Sequence, residues 1–127
     1  MFLFIIGVGG ALGAMARYSV SGWIQGFSET TFPLGTLVVN VLGSFLLGFS
    51  LYVLENTGLT TEVRSMVTIG FLGAFTTFST FSYETLVLLE GGEWTRGALY
   101  MGGSLFLGLF GVMTGLGLGH FLLQVRG

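Results

Sequence analysis

Hydroxyl and aromatic side chains crowd an eight-residue stretch of the sequence, FTTFSTFS at positions 75–82. Five of its side chains carry a hydroxyl and three are phenylalanines. Serine and threonine hydroxyls compete with the helical backbone for hydrogen bonds, so this stretch is predicted to unwind locally. In hydrocarbon each unsatisfied backbone group costs several kcal/mol, and freed carbonyls therefore need protein, water or an ion as a partner. A cation coordinated by carbonyls would satisfy them.

The phenylalanines of this stretch repeat every third residue. On a helix Phe78 and Phe81 would stay neighbours on one face, while Phe75 would turn away from them. An aromatic ring has a positive edge, so ring edges in a narrow dry pore could touch a small anion weakly. Weak contacts favour conduction over tight binding. The alternative interpretation is that the rings only contact lipid or pack against other helices.

A second polar series lies on a predicted helix before this stretch, where Thr36, Asn40, Gly43 and Ser44 share one face. Asn40 is the only amide side chain of that helix. A buried amide needs a partner, and two remain open: a hydrogen bond to another helix, or coordination of an ion.

A third polar series lies near the C-terminal end of the sequence. Tyr100 and Ser104 are spaced by four residues, so their hydroxyls lie on one helical face. Gly108 would be the next position and carries no hydroxyl. All these groups can donate hydrogen bonds, as an anion requires.

The composition shows which elements must hold these side chains. The 127 residues are 52% hydrophobic and only 8% charged, whereas an ordinary soluble domain carries about a quarter charged residues. A bilayer-spanning helix needs about 20 mostly apolar residues, so the chain is predicted to be one all-α transmembrane domain of about four spans, covering residues 1–127. Charged residues delimit the predicted spans, which are 2–27, 34–54, 63–89 and 95–125. The first apolar run has no positive residue before it and is interpreted as a helix and not as a cleaved signal peptide.

Several classes of function are disfavoured by the composition. The absence of cysteine excludes disulfides and thiol catalysis. No lysine is present and the four arginines are scattered, so no basic patch for nucleic acid is expected. No arrangement of paired carboxylates, catalytic triad or clustered metal ligands appears, and an enzyme is not expected.

The four arginines do not decide the orientation of the chain. With four spans, Arg64 and Arg126 lie on one side of the membrane, and Arg17 and Arg96 lie toward the other. The positive-inside rule therefore gives a tie. Either other signals decide the orientation, or the chain inserts both ways and two opposite copies pair as an antiparallel homodimer.

Three separate motifs resemble the small fluoride channels of the Fluc, or CrcB, family: GGALGAMARY at 9–18, PLGTLVVNVLGSFLLG at 33–48 and GFLGAFTTFSTFSYE at 70–84. The resemblance covers essentially the whole chain. It implies a dual-topology homodimer in lipid, with a break in the third helix, two fluoride pores and a structural sodium ion at the dimer interface.

The resemblance also implies roles for individual residues. Phe78, Phe81 and Asn40 would line the pore, with donors from the hydroxyls of Ser79, Thr80, Tyr100 and Ser104. The backbone carbonyls of Gly73 and Thr76 would bind the sodium ion, and Arg17 would lie in a vestibule. The alternative for Arg17 is an interhelical salt bridge, for example with Glu84, because an unpaired charge in the membrane is costly. Gly108 leaves the outer part of the polar track incomplete.

The sequence therefore predicts passive fluoride export across a prokaryotic plasma membrane, which relieves fluoride toxicity. The main alternative is a proton-coupled exporter of small drugs or guanidinium, which would need a central titratable carboxylate. Only Glu84 lies inside a predicted span, and it comes late in the third. A small structural membrane protein without transport activity is the third class.

Overall fold

The computed structural model describes residues 1–127 and is all-helical. Helix α1 spans Phe2–Gln25 and α2 spans Leu34–Glu55. Three consecutive helical segments, Thr61–Ser65, Met66–Leu72 and Gly73–Phe75, together form α3. Helix α4 spans Phe78–Glu90 and α5 spans Trp94–Arg126.

Three of these helices, α1, α2 and α5, are long and apolar enough to cross a membrane. The prediction of an all-helical membrane protein is confirmed at this level. The third predicted span, 63–89, corresponds to α3 and α4 together. Each of these two helices is shorter than the roughly 20 residues that a bilayer requires.

Local sequence signals explain where several helices begin. Pro33 immediately precedes α2, where its missing N–H removes no helical hydrogen bond. The Thr60 hydroxyl accepts a hydrogen bond from the Val63 N–H and caps α3. Gly92, with φ +78°, lies in the short turn between α4 and α5, a conformation that disfavours residues with a side chain.

The middle segment of α3, Met66–Leu72, is a π-helix, which sequence reasoning did not predict. Such wider turns are rare and occur often at functional sites. Here the π-helix packs against α1, where Gly70 lies directly opposite the backbone of Ile6.

Glycines bring the helices into backbone contact in two parallel pairs. In the first pair, Gly9 and Gly13 of α1 face the backbone of Met66 and Phe71. In the second pair, α5 runs parallel to α2. Its glycines lie opposite successive residues of α2: Gly111 opposite Val41, Gly115 opposite Phe45 and Gly119 opposite Phe49. Small residues four apart allow helix backbones to approach this closely in a membrane.

Substituting alanine for Gly115 is expected to separate α5 from α2. An added Cβ would lie 2.1 Å from the Phe45 carbonyl oxygen, a backbone atom that cannot rotate away. Overpacking of this kind costs about 1–3 kcal/mol. Thermal unfolding in detergent should show a clear decrease in Tm for Gly115→Ala. Gly117→Ala, which has open space around it in the chain, is the matched control, and equal Tm values for both variants would contradict the packing.

Candidate functional site

The helical path is interrupted between α3 and α4 at two threonines. Thr76 (φ −89°, ψ 155°) and Thr77 (φ −147°, ψ 119°) both have extended backbone conformations. Helix α4 then begins with Thr77 as its cap, because the Thr77 hydroxyl oxygen accepts a hydrogen bond from the Thr80 N–H at 3.3 Å. The hydroxyl-rich stretch is therefore where regular helix ends and begins again.

Asn40 of α2 forms hydrogen bonds with both backbone polar groups of Thr77. The Asn40 Nδ2 donates to the Thr77 carbonyl oxygen at 3.0 Å, and the Thr77 N–H donates to Asn40 Oδ1 at 2.8 Å. One amide side chain thus satisfies both polar groups of one extended residue. Of the two partners that the sequence left open for Asn40, the structure has an interhelical hydrogen bond, made to backbone and not to a side chain.

Arg17 of α1 contacts the backbone next to the same interruption. Its Nε donates to the Ala74 carbonyl oxygen at 3.0 Å. The alternative of a salt bridge between Arg17 and Glu84 is wrong, because the Glu84 carboxylate accepts a hydrogen bond from the Thr36 hydroxyl at 2.5 Å. The only ion pair in the chain joins Arg96 and Glu93.

Two carbonyls at the interruption lose the N–H groups that would bond them in a continuous helix. The helical partner of the Gly73 carbonyl is the Thr77 N–H, which donates to Asn40 instead. The helical partner of the Thr76 carbonyl is the Thr80 N–H, which donates to the Thr77 hydroxyl. The last carbonyls of any helix need partners of this external kind.

A cavity of about 350 Å³ lies beside the interruption, between α2, α3, α4 and α5. Several residues that were predicted to form the site line it: Asn40, Gly73, Thr76, Phe78, Phe81 and Ser104. Gly108 lines the same cavity. The Phe78 side chain is 80% exposed in the single chain, so its ring projects outward from the rim of the cavity.

Two hydroxyls of α5 are buried without a hydrogen-bond partner, those of Tyr100 and Ser104. The Tyr100 side chain is fully buried, and its ring centroid lies 5.1 Å from that of Phe81. The Phe78 and Phe81 rings lie 5.9 Å apart. An unsatisfied buried hydroxyl is costly unless another group supplies the missing partner.

The remaining predicted residues do not line the cavity. Ser79 is exposed on α4, while the Thr80 hydroxyl accepts a hydrogen bond from the Thr77 hydroxyl at 3.1 Å. The Tyr100 ring contacts the Phe81 ring, and Arg17 donates a hydrogen bond to the Ala74 carbonyl oxygen. Their roles in conduction stay predictions.

Sequence reasoning missed two residues that matter to this site, Thr77 and Thr68. Thr77 is the residue whose backbone Asn40 holds. Thr68, in the π-helical segment, lines the cavity, and its hydroxyl donates to the Arg64 carbonyl oxygen at 2.9 Å. A lone amide on an apolar helix was a usable signal for an external partner, but nothing in the sequence identified Thr77 as that partner.

Substituting alanine for Gly43 is expected to disturb the interruption directly. An added Cβ would lie 2.3 Å from Thr76 Cγ2 and 3.1 Å from Phe75 Cδ1. Thr76 cannot rotate freely, because its hydroxyl donates to the Leu72 carbonyl oxygen at 3.1 Å. We expect a lower Tm, by overpacking of about 1–3 kcal/mol, together with impaired ion flux. Gly7→Ala, with open space around it, should change neither, and normal flux through Gly43→Ala would contradict a functional role for this contact.

Comparison with known proteins identifies the family. A family model described as CrcB-like protein, Camphor Resistance (CrcB), matches residues 4–116. The chain belongs to the CrcB family. The resemblance expected from the three motifs is thereby confirmed.

Curated relatives of this CrcB-family chain carry the name fluoride-specific ion channel FluC. The protein of Nitratidesulfovibrio vulgaris is 48% identical over 119 residues, which cover 93% of this chain and 96% of the relative. The protein of Thermus thermophilus is 48% identical over 118 residues, 93% of both chains. FluC 1 of Methanosarcina acetivorans is 48% identical over 114 residues, 89% of this chain and 86% of the relative. These names describe ion channels and not enzymes.

Proposed function

We propose that the chain forms a fluoride-selective channel, through which accumulated fluoride leaves the cell passively across the plasma membrane. The observation that carries the proposal is the pair of buried, unpartnered hydroxyls of Tyr100 and Ser104 beside the Phe81 ring. The names of the bacterial and archaeal relatives support the choice of fluoride as the ion.

The chemistry of this cavity suits a small, strongly hydrated anion. An ion that leaves water must find hydrogen-bond donors in the pore. The Ser104 hydroxyl supplies one in the cavity. The Tyr100 hydroxyl, on a ring that contacts Phe81, is our proposed second donor. The ring edges of Phe78 and Phe81 add weak positive contacts that do not hold the ion tightly. The cavity lining is largely apolar and offers few donors, and we expect larger halides such as chloride to pass far more slowly than fluoride.

Fluoride efflux from proteoliposomes, followed with a fluoride electrode, tests the proposal. Purified protein should release trapped fluoride and should release chloride far more slowly. Correctly assembled protein that passes no fluoride would exclude the channel. It would leave the exporter and the structural membrane protein as the remaining interpretations.

The same preparation tests the exporter alternative. A proton-coupled exporter would use Glu84 as its titratable group, and the Glu84 carboxylate is already engaged by the Thr36 hydroxyl. Flux of an organic cation that depends on a pH gradient would favour the exporter. Fluoride flux that persists without a pH gradient would favour the channel.

We further propose that two copies pair in opposite orientations and that residues 61–90 form the interrupted third span. The arginine tie supports opposite insertion. The exposed Phe78 ring at the rim of the cavity also supports pairing, because a second copy of the chain could bury it. Because the chain has no cysteine, single cysteines at Glu29 and Glu62 can be labelled with an impermeant maleimide in whole cells. Dual topology predicts about half of the copies labelled at each position, and labelling at only one would refute it.

We propose in addition that the carbonyls of Gly73 and Thr76 bind a structural sodium ion together with their counterparts in the second copy. Their loss of helical hydrogen-bond partners supports this assignment, and hard cations prefer oxygen ligands. No cluster of three or more acidic, histidine or cysteine side chains offers an alternative metal site. A bound sodium ion would supply positive charge to the freed carbonyls. Protein purified in sodium chloride should therefore be more heat-stable than protein in N-methylglucamine chloride.

A further inference from the structure

Arg17 donates its Nε–H to a carbonyl located between the two proposed sodium ligands. Ala74 follows Gly73 and precedes Thr76 by two residues. The helical partner of the Ala74 carbonyl would be the Phe78 N–H, across the interruption. The Arg17 Nε reaches this carbonyl at 3.0 Å from a position 57 residues earlier in the chain.

Two side chains from two other helices, Asn40 of α2 and Arg17 of α1, thus bind the backbone at the interruption. Asn40 occupies the Thr77 N–H, which would otherwise bond the Gly73 carbonyl. Arg17 donates a hydrogen bond to the Ala74 carbonyl, which in a continuous helix would accept one from the Phe78 N–H. Both contacts compete with the helical hydrogen bonds that would close the gap. The Gly73 carbonyl stays available because Asn40 binds the Thr77 N–H, and the Thr76 carbonyl stays available because the Thr80 N–H donates to the Thr77 hydroxyl.

The positive charge of Arg17 cannot help the Gly73 and Thr76 carbonyls to bind a sodium ion. A guanidinium cation close to a sodium site repels the ion, whatever the local dielectric. A contribution of Arg17 to that site must therefore come from its hydrogen bond, which fixes the backbone, and not from its charge.

We propose that Arg17 is a positioning residue for the cation site and acts through the Nε–H donated to the Ala74 carbonyl. This role is distinct from that of a vestibule charge that attracts anions. It rests on the proposed sodium site, but the two can fail separately.

Three substitutions at Arg17 separate the hydrogen bond from the charge. In Arg17→Gln the amide nitrogen can occupy the place of Nε, so a donor remains while the charge is lost. In Arg17→Lys the charge remains, but a methylene occupies the place of Nε and the ammonium lies one atom farther out. In Arg17→Met both the donor and the charge are lost.

The experiment measures Tm in detergent as sodium chloride replaces N-methylglucamine chloride at constant ionic strength. The Gln variant should keep the sodium-dependent rise in Tm. The Lys and Met variants should lose it or need about tenfold more sodium for half of the effect, the change expected for loss of one partly buried hydrogen bond. Arg126→Gln, at the exposed end of α5, is the control and should behave as the wild type.

Other outcomes would overturn the inference. If Lys keeps the sodium effect and Gln loses it, the charge is what matters. If all three variants keep it, or all three lose it, the Nε donor is not the determinant. If the Met variant does not fold, the comparison of Gln with Lys decides alone. If the wild-type protein shows no sodium effect, the sodium site itself is refuted, whether or not fluoride flux is normal.

Discussion

Replacing Asn40 with leucine should abolish most fluoride efflux and lower the thermal stability of the protein. The substitution keeps the size of the side chain but removes both hydrogen bonds to Thr77. The two Thr77 backbone groups are partly buried, and a buried polar group left without a partner costs about 1–3 kcal/mol. Even about 2 kcal/mol in total corresponds to roughly a 30-fold loss if it raises the barrier to permeation. Efflux from proteoliposomes and Tm in detergent are the two measurements.

The paired readout separates two roles of Asn40. A side chain that only donates to the permeating ion would affect efflux but not Tm, whereas a side chain that completes the backbone affects both. Asn56→Leu is the matched control, because the Asn56 amide bonds only the Tyr52 carbonyl at an exposed helix end. An Asn40→Leu variant with wild-type Tm would contradict the backbone role.

Replacing Phe81 with isoleucine should reduce fluoride efflux severely while leaving the fold intact. Phe81 lines the cavity and its ring lies between those of Phe78 and Tyr100. The substitution removes the ring edge offered to the ion and two aromatic contacts, each worth about 0.5–1.5 kcal/mol. We expect at least about a tenfold loss of efflux.

The control for Phe81 is a phenylalanine that lies away from the cavity. Phe106 on α5 is 71% exposed in the chain and does not line the cavity. Phe106→Ile should conduct like the wild type, and both variants should elute as the wild-type assembly on gel filtration. Unchanged efflux through Phe81→Ile would refute its assigned role in the pore.

The sequence predicted the helices well because their signals are local. Predicted span 34–54 compares with Leu34–Glu55 in the structure, and 95–125 compares with Trp94–Arg126. Apolar runs and charged breaks require no knowledge of distant contacts. The extended backbone of Thr76 and Thr77 lies inside the hydroxyl-rich stretch 75–82.

Partners across the chain were harder to predict. Charge complementarity favoured a salt bridge between Arg17 and Glu84. In the structure Arg17 donates a hydrogen bond to the Ala74 carbonyl, and Glu84 accepts one from the Thr36 hydroxyl. Freed backbone oxygens do not appear in a sequence as acceptors, so pairing rules based on side chains overlook them. The π-helical segment Met66–Leu72 was missed for a related reason, because no residue pattern over seven positions distinguishes it from an ordinary helix.

The pairing of Asn40 with Thr77 also sets an order for biogenesis. Without α2, the N–H and carbonyl of Thr77 would lack hydrogen-bond partners in lipid. Residues 61–90 should therefore insert poorly unless α2 is already in the membrane. Insertion assays on 61–90 and on 34–90 would measure the difference. Because the ribosome synthesises α2 before residues 61–90, the Asn40 amide is already present in the nascent chain when Thr77 enters the membrane.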